Sequence, residues 1–218
     1  MLNRIKNIFN KKPSVPRFTN EEYNKDYELK KSGLEKILGE MNHLVGHATM
    51  PFQLGGSVDL YYFPNANDGT CFVTMELLEP DGTGPKPSRI GTYELVAFTK
   101  HKLSNENKKP EFEKIEQRLN RILTMVGRYS FEAEINPGDT IEIPGGKDEP
   151  NGCLIFDEYK KSNVDFMIGD RKHGLLLIIE VFKSEMEYAM QNGSQVVLDK
   201  LKQKGFYPYS DLDRESIH

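Results

Sequence analysis

Residues 128–146 read RYSFEAEINPGDTIEIPGG, residues 153–159 read CLIFDEY, and residues 164–205 read VDFMIGDRKHGLLLIIEVFKSEMEYAMQNGSQVVLDKLKQKG. Short apolar runs broken by Pro, Gly, Asn and Asp are the signature of strands joined by turns. Strands are expected at about 129–134, 140–143, 153–157, 164–168 and 175–182. The run from Leu175 to Phe182 is apolar throughout, as in a strand covered on both faces. A Ser184/Glu187 pair has capping-box spacing and opens a short helix to Gln191; Gly193 stops it, and Ser194 starts another that ends at Gly205. Nothing catalytic is legible in this third of the chain, which points to a protein that holds a sheet and a surface for binding.

Upstream, Thr19 and Glu22 form a second capping-box pattern. Apolar residues at Tyr23, Tyr27, Leu34, Ile37, Leu38, Met41 and Leu44 then recur at helical steps. The spacing predicts a helix over about 20–45, weakened at Gly33 and Gly39 and ending near Gly46. SVDLYYFP, TCFVTMELL and TYELVAFT are three strand-like runs rich in β-branched and aromatic residues. NANDG joins the first two as a hairpin loop, and the long Pro- and Gly-rich PDGTGPKPSRIG separates the second from the third. A second helix is expected from Lys109 to Met125, with Pro110 in its first turn and Gly127 at its end. The whole predicts a single domain over 19–206 of α/β (α+β) class: a mixed, largely antiparallel sheet flanked by helices. Residues 1–18 read as an amphipathic or flexible arm, with Leu2, Ile5, Ile8 and Phe9 on one face among basic residues. Residues 207–218 read as a tail that packs loosely or stays free.

Composition excludes several classes. A net charge of −4 gives no electrostatic case for a nucleic-acid partner. No run approaches the ~20 apolar residues of a membrane helix, and MLNRIKNIFNKK lacks a signal-peptide core, so a cytoplasmic location is expected. Cys71 and Cys153 each sit in an apolar strand-like run and are expected as buried free thiols.

Candidate chemistry is sparse. His43 and His47, four apart, have metal-ligand spacing on a helix, but HLVGH is not HExxH and Gly46 suggests that the helix is ending. Asp59, Glu76 and Glu94 lie among apolar neighbours in strand-like runs. They could pair for acid–base work, or lie on the solvent- or partner-facing side of a half-buried sheet. The second reading makes Asp59, Tyr61, Glu76, Tyr93 and Glu94 candidate partner-binding residues. LGGS and GDTIEIPGG are turns, GDRKHG is an exposed hairpin tip, and GxSxG is absent. No catalytic residue, cofactor or metal is expected. The rival from another class is a metal-dependent hydrolase using His43, His47, Asp59 and Glu76.

The order of the pieces resembles the suppressor of fused (SUFU-like) family from about Val58 to Lys204. The residues that carry the resemblance are Thr74, Glu76, Leu77, Tyr93, Glu94, Leu95, Arg128, Tyr129, Gly138, Asp139, Glu185, Asn192 and Gly193. Animal members carry a second domain and clamp a transcription-factor peptide by strand addition. Single-domain relatives look bacterial and have been proposed as immunity proteins against polymorphic toxins. The resemblance implies a noncatalytic protein-binding module whose partner is a toxin domain or a regulatory protein.

Overall fold

A computed structural model describes residues 17–103, 110–145, 150–161 and 163–218. Helix α1 spans Asn20–Leu38; strands β1 (Val45–Gly46), β2 (Leu60–Phe63), β3 (Thr70–Val73) and β4 (Tyr93–Thr99) follow, with a 3₁₀ turn at Phe52–Leu54. Helix α2 spans Pro110–Ser130. Then come β5 (Thr140–Ile143), β6 (Gly152–Glu158), β7 (Phe166–Ile168), β8 (Arg171–Val181), α3 (Lys183–Asn192) and α4 (Ser194–Gln203). The strands form one sheet in the order β1-β2-β3-β4-β8-β6-β5, with β7 paired to the start of β8. β4 and β8 run parallel and the other pairs are antiparallel, as the expected mixed, largely antiparallel sheet requires.

Both faces of the sheet are covered, and alternation along each strand divides its side chains between them. Leu175, Leu177, Ile179 and Val181 of β8 pack with Leu34, Ile37 and Leu38 of α1, Met186 of α3, and Val197, Leu198 and Leu201 of α4. Leu176 and Ile178 face the other way, onto Leu119, Ile122, Leu123 and Val126 of α2. Each such side chain taken from water contributes about 1.5–3 kcal/mol. Cys71 and Cys153 are buried and unbridged in the first of these layers.

The long expected elements differ at their ends. α1 stops at Leu38, where Gly39 takes φ +87° and donates its N–H to Glu35; Val45 and Gly46 pair with β2 as a strand. Gly33 lies inside the unbroken helix, where a Cβ would meet the Met167 carbonyl oxygen at 2.1 Å, so its missing side chain lets α1 lie against β7. α2 runs on to Ser130, replacing the strand expected at 129–134 with its last turn and a following bend. The strand run TCFVTMELL ends at Val73, because the Glu94 carboxylate takes the N–H groups of Leu77 and Leu78. The GDRKHG segment is a two-residue turn followed by strand, and His173 within it is buried. α3 is capped by Glu185, which accepts the Phe182 N–H at 3.0 Å, rather than by the Ser184/Glu187 pair.

The tail expected to lie loose is instead built into the sheet. Beyond Ala97↔Ile178 the parallel strands β4 and β8 diverge, and residues 209–211 fill the gap. Ser210 donates its N–H to Phe98 and its hydroxyl to the Ile178 carbonyl, while that hydroxyl accepts the Glu180 N–H. Asp211 accepts from the Thr99 hydroxyl and the Lys100 N–H. The arm expected over 1–18 lies outside the described residues except for Arg17 and Phe18; Arg17 pairs with Asp81.

Candidate functional site

The sheet ends at β5, a four-residue strand whose described pairing is to β6 alone. Its phase follows from the turn before it. The Phe156 N–H donates to the Asp139 carbonyl at 3.0 Å, and the Gly138 N–H donates to the Phe156 carbonyl at 2.7 Å, so Gly138 and Asp139 share one partner as a bulge. Residues 139, 141 and 143 therefore turn their backbone groups to β6. Thr140 and Glu142 turn theirs outward, and among the described residues no backbone meets them. An open edge of this kind is a template for an added strand.

Local chemistry holds that edge in place. Gly138 has φ +92°, a conformation that favours glycine. Asp139 accepts the Asn136 N–H at 2.7 Å, Asn136 accepts the Arg89 N–H at 2.9 Å, and the Ser194 hydroxyl at the start of α4 donates to the Gly138 carbonyl at 2.6 Å. Turn, β5 and the α3–α4 corner are thus tied together.

A groove lies on each side of the strand. On the α2 side, about 310 Å³ is bounded by Met125, Val126, Tyr129, Ile141, Glu142, Ile143 and Pro144. On the α3 side, about 460 Å³ is bounded by Tyr129, Glu134, Asp139, Thr140, Met190, Gly193 and Ser194, among others. Tyr129 is 46% exposed and Met190 69%, so large apolar side chains stand open beside unpaired backbone. Among the described residues, every charged one bounding the two grooves is acidic: Glu134, Asp139 and Glu142. A larger concavity of about 690 Å³ along α2 has, among the described residues, no free strand, and its Arg118 lies 3.1 Å from Glu180.

The residues proposed from sequence divide into two sets. Tyr93 and Glu94 are fully buried, which removes them from any surface. Helices cover both faces of β4: Tyr93 packs in the α2 layer, and Glu94 lies beneath α1. Under that helix Lys30 lies 2.8 Å from Asp26 and 3.7 Å from Glu94, and donates to the carbonyls of Met75 and Leu78. Burial raises the Glu94 pKa, and Lys30 beside it opposes the shift.

Asp59, Tyr61 and Glu76 are partly exposed near the opposite end of the sheet. Glu76 accepts the Asp59 N–H at 2.6 Å, and Asp59 lies 2.8 Å from Nδ1 of His47. Burial, with the charges of Asp59 and Glu94 adding to it, pushes the Glu76 carboxyl up to about 7. Burial likewise raises the Tyr61 phenol, whose ring centroid lies 6.0 Å from that of Tyr27. His43 and His47 do not share a helix, since α1 has ended before them. Among the described residues, the group of ligand-type side chains that does converge is His101, Asp211 and Asp213, within 4.8 Å. Both Asp211 oxygens there already accept hydrogen bonds from Thr99 and Lys100.

The β5 edge was not named from sequence, although four residues that carry the resemblance, Tyr129, Gly138, Asp139 and Gly193, bound its α3-side groove. Among solved structures, one described as the Sufu-Fu complex crystal structure is similar over 85% of this chain and 88% of its own, at 19% identity and a TM-score of 0.52. No curated protein matches. No described helix is long and apolar enough to cross a membrane. The family profile described as Suppressor of fused protein (SUFU) matches residues 57–215. The chain belongs to the suppressor of fused family.

Proposed function

We propose that this protein is a noncatalytic binding module that takes an extended segment of a partner protein onto the free edge of β5. The observation that carries the reading is the pair of outward-facing residues, Thr140 and Glu142, between two grooves with exposed apolar walls. Main-chain hydrogen bonds to the strand supply affinity, and alternate side chains of the segment enter the two grooves. The similar solved structure is that of a protein in complex with another protein, which agrees with a binding role.

The partner in this reading is a toxin domain held stoichiometrically in the cytoplasm, so that the protein acts as an immunity protein. The acidic balance of the chain suits a basic toxin through charge steering.

Glu142→Pro tests the reading. It removes an outward N–H while leaving the β6-facing groups of Ile141 and Ile143 intact, and proline is tolerated on edge strands. A protein captured from source-cell extract by the wild type should be lost by Glu142→Pro, and its expression alone should be toxic and relieved by co-expression. Equal capture by the folded variant contradicts the β5 assignment; a harmless captured partner contradicts the immunity role.

A further inference from the structure

We infer that the segment recognised at β5 alternates apolar and basic side chains, with the apolar set directed toward α2 and the basic set toward α3. This rests on the reading of β5 as the binding edge and adds the chemistry of its occupant. Successive side chains of an added strand fall on opposite sides of the sheet, so the two grooves read alternate positions of one segment.

The grooves differ in kind. Ile141 and Ile143 turn toward the α2 layer, where Met125, Val126 and Tyr129 complete a mainly apolar wall that Glu142 also bounds. Thr140 bounds the α3-side groove, together with the Glu134 and Asp139 carboxylates and the Ser194 hydroxyl. One oxygen of Asp139 is held by the Asn136 N–H, and Glu134 accepts from the Asn136 side chain at 3.0 Å, so both carboxylates are positioned by the turn. Among the described residues no cation bounds either groove. Basic side chains at alternate positions would meet these carboxylates while their methylene stems cover Met190, which is 69% exposed. An acidic segment would meet like charge at these carboxylates.

The test uses a short acetylated, amidated peptide alternating valine and lysine, beside versions with serine or glutamate in place of lysine. Affinity is measured by fluorescence anisotropy, and location by amide NMR shifts of the full chain. The lysine peptide should bind tighter than the serine peptide by about fivefold or more, and the glutamate peptide weakest. The lysine preference should shrink in high salt and in Glu134→Gln and Asp139→Asn, two variants that keep the turn's acceptors. Shifts at Thr140 and Glu142 with no preference for lysine overturn this inference and leave the β5 reading standing. Binding with shifts confined to other regions, or no binding by any of the three, overturns both.

Discussion

Arg214 holds the Glu185 carboxylate through two hydrogen bonds of 2.6 and 2.7 Å, with the Glu185 side chain fully buried and that of Arg214 only 6% exposed. The Ile217 N–H adds a third at 2.9 Å and the Phe182 N–H a fourth at 3.0 Å. One residue at the start of α3 thus caps its own helix and anchors the C-terminal tail. α3 also carries Ala189 and Met190 into the groove beside β5, so the tail supports the helix that forms part of the site.

Removing the cation leaves a buried carboxylate unpaired. Arg214→Ala should lower stability by about 3–5 kcal/mol in urea unfolding. Arg214→Lys, which cannot reproduce the two-pronged contact, should recover only part of the loss. A loss under 1 kcal/mol for the alanine variant would show that the tail is not anchored by this pair.

The same pair sets a pH dependence. Burial raises the Glu185 pKa, but the hydrogen bonds from Arg214, Ile217 and Phe182 outweigh it and the net shift is downward. Its contribution is present above the unfolded carboxylate range and is lost as pH falls through the lowered folded value. Denaturation between pH 6 and 3 should show a loss of stability that is smaller in Arg214→Ala.

Glu76 works in the opposite sense. Burial pushes its folded pKa up to about 7, above the 4.5 of an ordinary glutamate. The folded chain therefore binds this proton more tightly than the unfolded chain, and stability falls as pH rises from about 4.5 to about 7. Glu76→Gln should flatten that slope and be more stable than the wild type at pH 8. An unchanged slope would place the proton elsewhere.

Gly33→Ala tests how α1 meets β7. Alanine favours a helix over glycine by about 1 kcal/mol, yet its Cβ would stand 2.1 Å from the Met167 carbonyl oxygen. Overpacking against backbone costs about 1–3 kcal/mol, so thermal unfolding should show a net loss. A rise in Tm would mean that helix and strand separate at little cost.

The sheet and its helices were legible because their signals are local: the apolar run of β8, the stripe of α2, and the Thr19–Glu22 capping box, which the structure forms with the Glu22 N–H donating to Thr19 at 3.2 Å. Burial of Glu94 was harder to read, since it depends on α1 crossing β4 from far away in sequence. One signal was available: Lys30 falls on the apolar stripe between Tyr27 and Leu34, and a lysine on a core stripe calls for a buried carboxylate. The tail was misjudged because its anchors, Glu185, Phe98 and Ile178, are distant in sequence. The β5 edge depends on strand order, which no local pattern encodes.

The most direct test of the central claim is amide hydrogen exchange at Thr140 and Glu142, in the free protein and in complex with a captured partner. Exchange should be fast at these two amides in the free protein, beside slower Ile141 and Ile143, and slow at all four when the partner is bound. Thr140 and Glu142 remaining fast in the complex, with new protection around Asp59, Tyr61 and Glu76 instead, would contradict it.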